Sequence, residues 1–225
     1  MEAVVFDFHT HSFLSDGKLS PVELIRRALV RGYRGIAITD HVSAANLERV
    51  IKEAKADCRL AEEYWGIKAV AGVELTHVPA KSVGQLAARA KELGAELVVV
   101  HGETPVEPVE PGTNRAALTC GHIDILAHPG FLTLEEAEIA KENKVFIEIS
   151  ARHGHSFTNG HVAQIGRQAG VNFLVNSDGH APGDLLTRAW AEKVALGAGF
   201  TPEEVRVILE VNPGLLLERV VQRRR

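Results

Sequence analysis

Residues 4–11 read Val-Val-Phe-Asp-Phe-His-Thr-His, an apolar run of strand length that ends in two histidines one residue apart. Side chains alternate between the faces of a strand, so His9 and His11 project from the same face with their imidazoles close together. Such a pair is either the first half of a metal site or a polar strand end bonded to water and backbone. The choice turns on whether the rest of the chain brings further ligands to the same place.

After this first strand, short β-branched runs alternate with helical patterns. Strands are expected at 35–39, 67–73, 95–100, 123–127, 145–149 and 172–176. Between them, Ser20, Pro21 and Glu23 read as N-cap, first-turn proline and capping-box glutamate of a helix that Gly32 stops. Further helices are expected at 44–64, 82–93, 114–119, from the Thr133–Glu136 capping box to Asn143, at 162–169 and at 185–196. Thr201 and Pro202 open another helix, and Asn212 with Pro213 introduces a terminal helical turn. About seven strands alternating with helices imply parallel pairing through right-handed crossovers, in a sheet covered on both faces.

An open doubly wound sheet and a closed barrel both fit that alternation. The metal-loving residues decide between them. His9 and His11, His41, Glu74, His101, His128, and Asp178 with His180 all fall at or just beyond the C-terminal end of an expected strand. A barrel gathers those ends into one ring around one cavity, whereas an open sheet spreads them along an edge too long to share a site. The fold expected is an α/β, TIM-like barrel with a metal site at the C-terminal ends of the strands. No repeat, linker or low-complexity segment divides the chain, so residues 1–225 are read as one domain.

The 225 residues are 45% hydrophobic, enough for a sizeable core, and carry a net charge of −4 with 11 histidines against two tyrosines and two tryptophans. A slightly acidic chain of pI about 6.3 has no broad field to draw it to nucleic acid or an anionic membrane. No apolar run approaches membrane-spanning length, and Cys58 and Cys120 lack a Cys-x-x-Cys spacing, so a cytoplasmic protein with unpaired thiols is expected. Mixed imidazole and carboxylate donors suit zinc, manganese or iron rather than calcium. Four or five ligands per ion imply two or three ions, with Glu74 the natural bridge between them. His77, His122, His153, His155 and His161 are read individually as surface or loop histidines.

The motifs His9-Thr10-His11 with Ser15-Asp16-Gly17, Ile38-Thr39-Asp40-His41, Gly72-Val73-Glu74, Val100-His101, Ala127-His128-Pro129 and Asn176-Ser177-Asp178-Gly179-His180 together resemble the polymerase and histidinol phosphatase (PHP) family of metal-dependent phosphoesterases. The resemblance implies a distorted (βα)7 barrel with a trinuclear site. It places one metal on His9, His11, Glu74 and Asp178, a second on Glu74, His101 and His128, and a third on Asp16, His41 and His180.

Those ligands imply hydrolysis of a phosphate ester by a hydroxide bridging divalent cations, with the cations neutralising phosphoryl charge. Among the arginines near strand ends, Arg152 is the expected phosphate clamp, ahead of Arg115 and Arg188. His155, with His153 in the same loop, is placed to protonate the leaving group or bind substrate. The expected partner is a small phosphate monoester, as for a histidinol phosphatase, with no membrane. The alternatives are a 3'-5' exonuclease or phosphodiesterase like those attached to polymerases, and a non-catalytic metal-binding module. A nuclease calls for a basic track or an aromatic platform, which an acidic chain with 5% aromatic residues does not advertise. An unbroken ligand set argues against the inert module. Amidohydrolases also place His-x-His on the first strand of a barrel, but a site of one or two metals leaves Asp16, His41 and His180 unexplained.

Overall fold

Every strand pair in the computed structural model, which describes residues 4–224, is parallel. The strands are β1 (Val5–Asp7), β2 (Tyr33–Ile38), β3 (His41–Val42), β4 (Lys68–Leu75), β5 (Leu97–His101), β6 (Ile125–Ala127), β7 (Phe146–Ser150) and β8 (Phe173–Asn176). They run in the order β1-β2-β4-β5-β6-β7-β8, with β3 also on β4. β2 pairs with residues 68–71 of β4 and β3 with residues 74 and 75, so β2 and β3 are one strand interrupted at Thr39 and Asp40. Seven strand positions result. The pairing with β3 also carries β4 two residues past its expected end, and Glu74 lies inside the strand rather than beyond it.

The ring closes at β1 and β8 through side chains. Asn176 Oδ1 accepts from the Phe8 N–H at 2.9 Å, Asp7 Oδ1 accepts from the Ser177 N–H at 3.1 Å, and one backbone bridge links Thr10 with Gly179. The buried Asp7 carboxylate also accepts from Tyr33 Oη at 3.2 Å. The result is a distorted (βα)7 barrel.

The helices around it are α1 (Pro21–Val30), α2 (Leu47–Trp65), α3 (Val83–Glu92), α4 (Thr113–Leu118), α5 (Leu134–Glu142), α6 (Asn159–Ala169), α7 (Arg188–Gly197), α8 (Pro202–Arg206) and α9 (Asn212–Arg223). Local chemistry explains where they depart from expectation. Ser20 caps α1 by accepting from the Glu23 N–H, but the Glu23 carboxylate turns to Arg27 at 2.8 Å, so only half of that capping box forms. Thr133 and Glu136 form theirs completely. α2 begins at Leu47 because Asn46 spends its side chain on the preceding turn, accepting from the Ser43 N–H and donating to the His41 carbonyl. α7 begins at Arg188 because Thr187 is its cap and Leu185 and Leu186 are buried before it. The terminal turn is a full helix: a π-helical segment, Val207–Val211, joins α8 to α9, and Pro213 sits in the first turn of α9, where its missing N–H costs nothing.

Strand periodicity sorts the interior by height. Val70, Leu97, Val99, Ile125, Phe146 and Leu174 fill the lower barrel together with Phe8, and Leu216 and Val220 of α9 close it from below. The alternate set, including Val73, Val98, Val100, Ile147 and Ile149, packs outward against the helices. The next inward positions up the strands are Glu74, His101, Glu148 and Asn176, all buried and all polar. Among the described residues no helix is long and apolar enough to cross a membrane.

Because Leu216 plugs the barrel far from the polar layer, Leu216→Ala is expected to lower unfolding stability by about 2–5 kcal/mol, the range for an unrelaxed core cavity. Denaturant titration measures this, and the folded fraction should keep its affinity for divalent metal.

Candidate metal centre

Glu74 stands at the centre of the polar layer. Its carboxylate lies 3.2 Å from His9 Nε2, 2.6 Å from His41 Nδ1, 3.2 Å from His101 Nδ1, 3.7 Å from His128 Nε2 and 3.9 Å from His11 Nε2. Asp178 lies opposite, 3.1 Å from His11 Nε2 and 3.7 Å from both His9 and His128. Asp16 closes the outer end, 3.2 Å from His180 Nε2 and 3.6 Å from His41 Nε2. All nine expected ligands therefore meet in one place. The donors form overlapping groups: His9, His11 and Asp178; His9, Glu74 and His128; His41, Glu74 and His101; and His11, Asp16, His41 and His180.

Backbone shape delivers several of these side chains. The loop bearing Asp16 folds back on Asp40, whose buried carboxylate accepts from the N–H and the hydroxyl of both Ser12 and Ser15 at 2.7–3.0 Å. A Cβ on Gly17 would lie 2.2 Å from the His11 carbonyl, so only glycine allows the chain to pass so close. His128 and Asp178 have φ of 27° and 50°, left-handed backbone that turns each chain end sharply inward where its strand stops.

Buried imidazole nitrogens ordinarily have a partner. Here His9 Nε2, both nitrogens of His11 and His128, and His180 Nε2 have no hydrogen bond. Burial and then neighbouring imidazoles hold His11 and His128 well below the ordinary histidine value, so both are neutral and offer lone pairs. Burial alone would raise Glu74, but His9, His41 and His101 override it and hold that carboxyl well below its usual range. Asp178 is pushed up to about 7 by burial, opposed by His9 and reinforced by Glu74 and Glu148. Convergent lone pairs around two carboxylates, with no protein donors to satisfy them, are the donor set a divalent cation fits.

Two further carboxylates act one layer out, and sequence reasoning gave neither a role. Glu148 Oε2 lies 2.7 Å from His9 Nδ1 and accepts from Asn176 Nδ2 at 3.0 Å, which leaves His9 Nε2 facing Glu74 and Asp178. Glu107, from the loop after β5, lies 3.1 Å from His101 Nε2 and 3.0 Å from His77 Nε2. A carboxylate on the outer nitrogen of a histidine fixes which nitrogen faces inward. The inward period of β7 was the available signal for Glu148. Glu107 had none, because its loop carries three glutamates with no periodicity.

Arg152 donates to the Asp178 carbonyl at 2.8 Å and touches the His180 ring, with about a third of its side chain exposed. Burial pushes His155 down to about 4; its Nδ1 lies 2.8 Å from Thr104 Oγ1 and its Nε2 3.7 Å from Asp178. Arg115 and Arg188 do not reach the centre. They pair with Glu135 and with Glu192 and Glu210 on outer surfaces. His77, read as a surface residue, lines the rim. His122 lies at the other end of the barrel, His161 bonds the Leu132 carbonyl, and His153 is exposed against Phe157. The centre opens to solvent through a cleft of about 430 Å³ bordered by His41, His77, Glu107 and His155. A second lobe of about 840 Å³ adjoins it, sharing Arg152, Asp178 and His180.

The chain is similar to known proteins in sequence and in fold. The chain is 51% identical over 216 residues to an uncharacterized protein of Methanocaldococcus jannaschii, covering 96% of this chain and 99% of that one. It is 28% identical over 193 residues to the DNA polymerase/3'-5' exonuclease PolX of Bacillus subtilis, covering 77% of this chain and 34% of PolX. Its fold is similar to a Listeria monocytogenes protein assigned as a histidinol phosphatase, with TM-score 0.59, 9% identity and coverage of 80% and 97%. It is also similar to an Arthrobacter aurescens adenine deaminase, with TM-score 0.61, 16% identity and coverage of 90% and 77%. The family model for the PHP domain matches residues 7–160, and with the nine donors gathered at the strand ends the chain belongs to the PHP domain family.

Proposed function

We propose that this protein is a metal-dependent phosphoesterase acting on a small phosphate monoester. The observation that carries the reading is the convergence of overlapping donor groups on Glu74, Asp178 and Asp16, next to an arginine that lines both lobes of the cleft. His9, His11, Glu74 and Asp178 would hold one cation, Glu74, His101 and His128 a second, and Asp16, His41 and His180 a third. Zinc, manganese or iron in that set would supply positive charge for phosphoryl oxygens and acidify water at neutral pH.

The chain's own residues do the rest. Glu74, the carboxylate common to two of the donor groups, would share its charge between the cations they hold. Arg152 spends Nη1 on the Asp178 carbonyl and the His180 ring, and it lines both lobes of the cleft, where a planar fork would engage phosphoryl oxygens. A His155 that is neutral at pH 7, with its Nδ1 held by the Thr104 hydroxyl, binds and orients the ester through Nε2. Glu148 and Glu107 hold the His9 and His101 rings in the binding orientation. The partial match to PolX supports a second reading, a nuclease acting on a terminal phosphodiester. Comparing kcat/KM over small phosphomonoesters and single-stranded DNA ends separates the two, and the monoester is expected to win.

Protein purified without chelator is expected to contain more than one transition metal ion per chain by elemental analysis. Chelation should abolish phosphomonoester hydrolysis while circular dichroism still reports a folded barrel. One ion or fewer per chain, in protein whose activity survives chelator, would sink the multinuclear reading. Glu74→Gln should remain folded and lose at least about a hundredfold in kcat/KM, roughly 3 kcal/mol of barrier. Glu148→Gln, which touches no cleft, should weaken metal affinity by about 10–100-fold in competition titrations, through loss of the grip on His9.

A further inference from the structure

The second lobe differs in chemistry from the first. Around the mouth over the metal centre the lining is mostly imidazole and carboxylate. Beyond Arg152 the wall carries Lys18, Arg31 and His153, together with Trp190 in the first turn of α7. Its carboxylates are Asp178, part of the metal centre, and Asp184, whose Oδ2 already accepts from the His180 and Ala181 N–H groups at 3.0 and 2.8 Å. Neither Lys18 nor Arg31 pairs with a carboxylate among the described residues; Arg31 donates only to the Leu185 carbonyl, at 2.6 Å, which pins the guanidinium at the lobe wall. Ser177, on the same wall, has a buried hydroxyl with no hydrogen-bond partner. The Trp190 side of the lobe is a flat apolar face, 51% exposed. A cationic recess on a chain of net charge −4 is a local feature, not a consequence of composition.

We infer that this lobe binds the alcohol portion of the ester, and that this alcohol carries a second anionic group, held by Lys18 and Arg31 while its carbon skeleton lies against Trp190. The inference rests on the phosphoesterase reading for which end of the ligand is cleaved, and on the lobe alone for its binding. With the reacting phosphoryl group at Arg152 and the metal centre, the two lobes divide the substrate: the smaller takes the group that is transferred to water, the larger the group that leaves. About 840 Å³ is room for one small molecule, within the usual range of ligand clefts.

The test uses the metal-loaded protein and the pair fructose 6-phosphate and fructose 1,6-bisphosphate. Trp65→Phe leaves Trp190 as the sole tryptophan, so its fluorescence reports the lobe directly, independent of turnover. The bisphosphate is expected to perturb Trp190 at concentrations at least tenfold lower than the monophosphate, and to show a KM at least tenfold lower. Lys18→Ala, and separately Arg31→Gln, should collapse both preferences, whereas Lys52→Ala on the exposed side of α2 should preserve them. A fluorescence preference without hydrolysis of either ester would uphold the lobe and refute the phosphoesterase reading. Hydrolysis of both esters with equal KM and equal effect on Trp190, or preferences that survive both cationic substitutions, would overturn the inference and leave the phosphoesterase reading standing.

Discussion

The upper half of the barrel is built around a buried carboxylate. Glu74 has no exposed surface, and taking a carboxylate out of water costs several kcal/mol unless opposite charge surrounds it. Five imidazoles lie within 3.9 Å of it, and they can be there only because successive parallel strands bring their ends to one ring. The site therefore requires the closed barrel. The barrel also tolerates the site because the polar layer rests on a complete apolar floor.

That division along the barrel axis comes from a period of two. Going up β5, Leu97, Val99 and His101 point inward; going up β4, Val70 and then Glu74 do the same, with Gly72 between them. Position 72 cannot carry a larger residue, since a Cβ there would lie 2.9 Å from the Thr39 side chain and 3.0 Å from the Leu97 carbonyl. A one-residue slip in either strand would exchange the ligand for an outward valine and destroy core and centre together. Register is thus held by both ends at once: by hydrophobic burial below and by the matching of charge above.

Most of the nine donors were legible in the sequence because they sit where an apolar run stops; Asp16, in a loop, and Glu74, inside β4, depart from that rule. His9, His101 and His128 each follow an apolar run directly, and that position is what distinguishes them from His122 or His161. Residues whose role depends on tertiary approach were not legible. Glu107 reaches His77 and His101 from a loop with no periodic pattern, Arg115 is drawn to Glu135 in the next helix, and Arg188 is held by Glu210 of a later segment as well as by Glu192 one turn along its own helix. The split of one strand into β2 and β3 was missed for a similar reason. Asp40 breaks the run locally, and only the partner strand β4 shows that pairing resumes at His41. The seam was hidden too, since Asp7 and Asn176 read as ordinary strand residues until their side chains are seen replacing ladder hydrogen bonds.

The polar layer also links metal binding to stability. Imidazoles without hydrogen-bond partners and carboxylates pressed together in low dielectric are unfavourable to bury, and the apolar floor must offset them. A cation bound by the native ring and not by the unfolded chain stabilises the fold by mass action, about 4 kcal/mol when free metal exceeds its dissociation constant a thousandfold. The outer carboxylates extend that linkage. Glu148 holds His9, and through Asn176 it holds the Phe8 N–H at the seam, so the same hydrogen-bonded chain that aims a ligand also closes the barrel. A cation held on His9 would therefore be coupled to closure of the β1–β8 seam through this chain of hydrogen bonds.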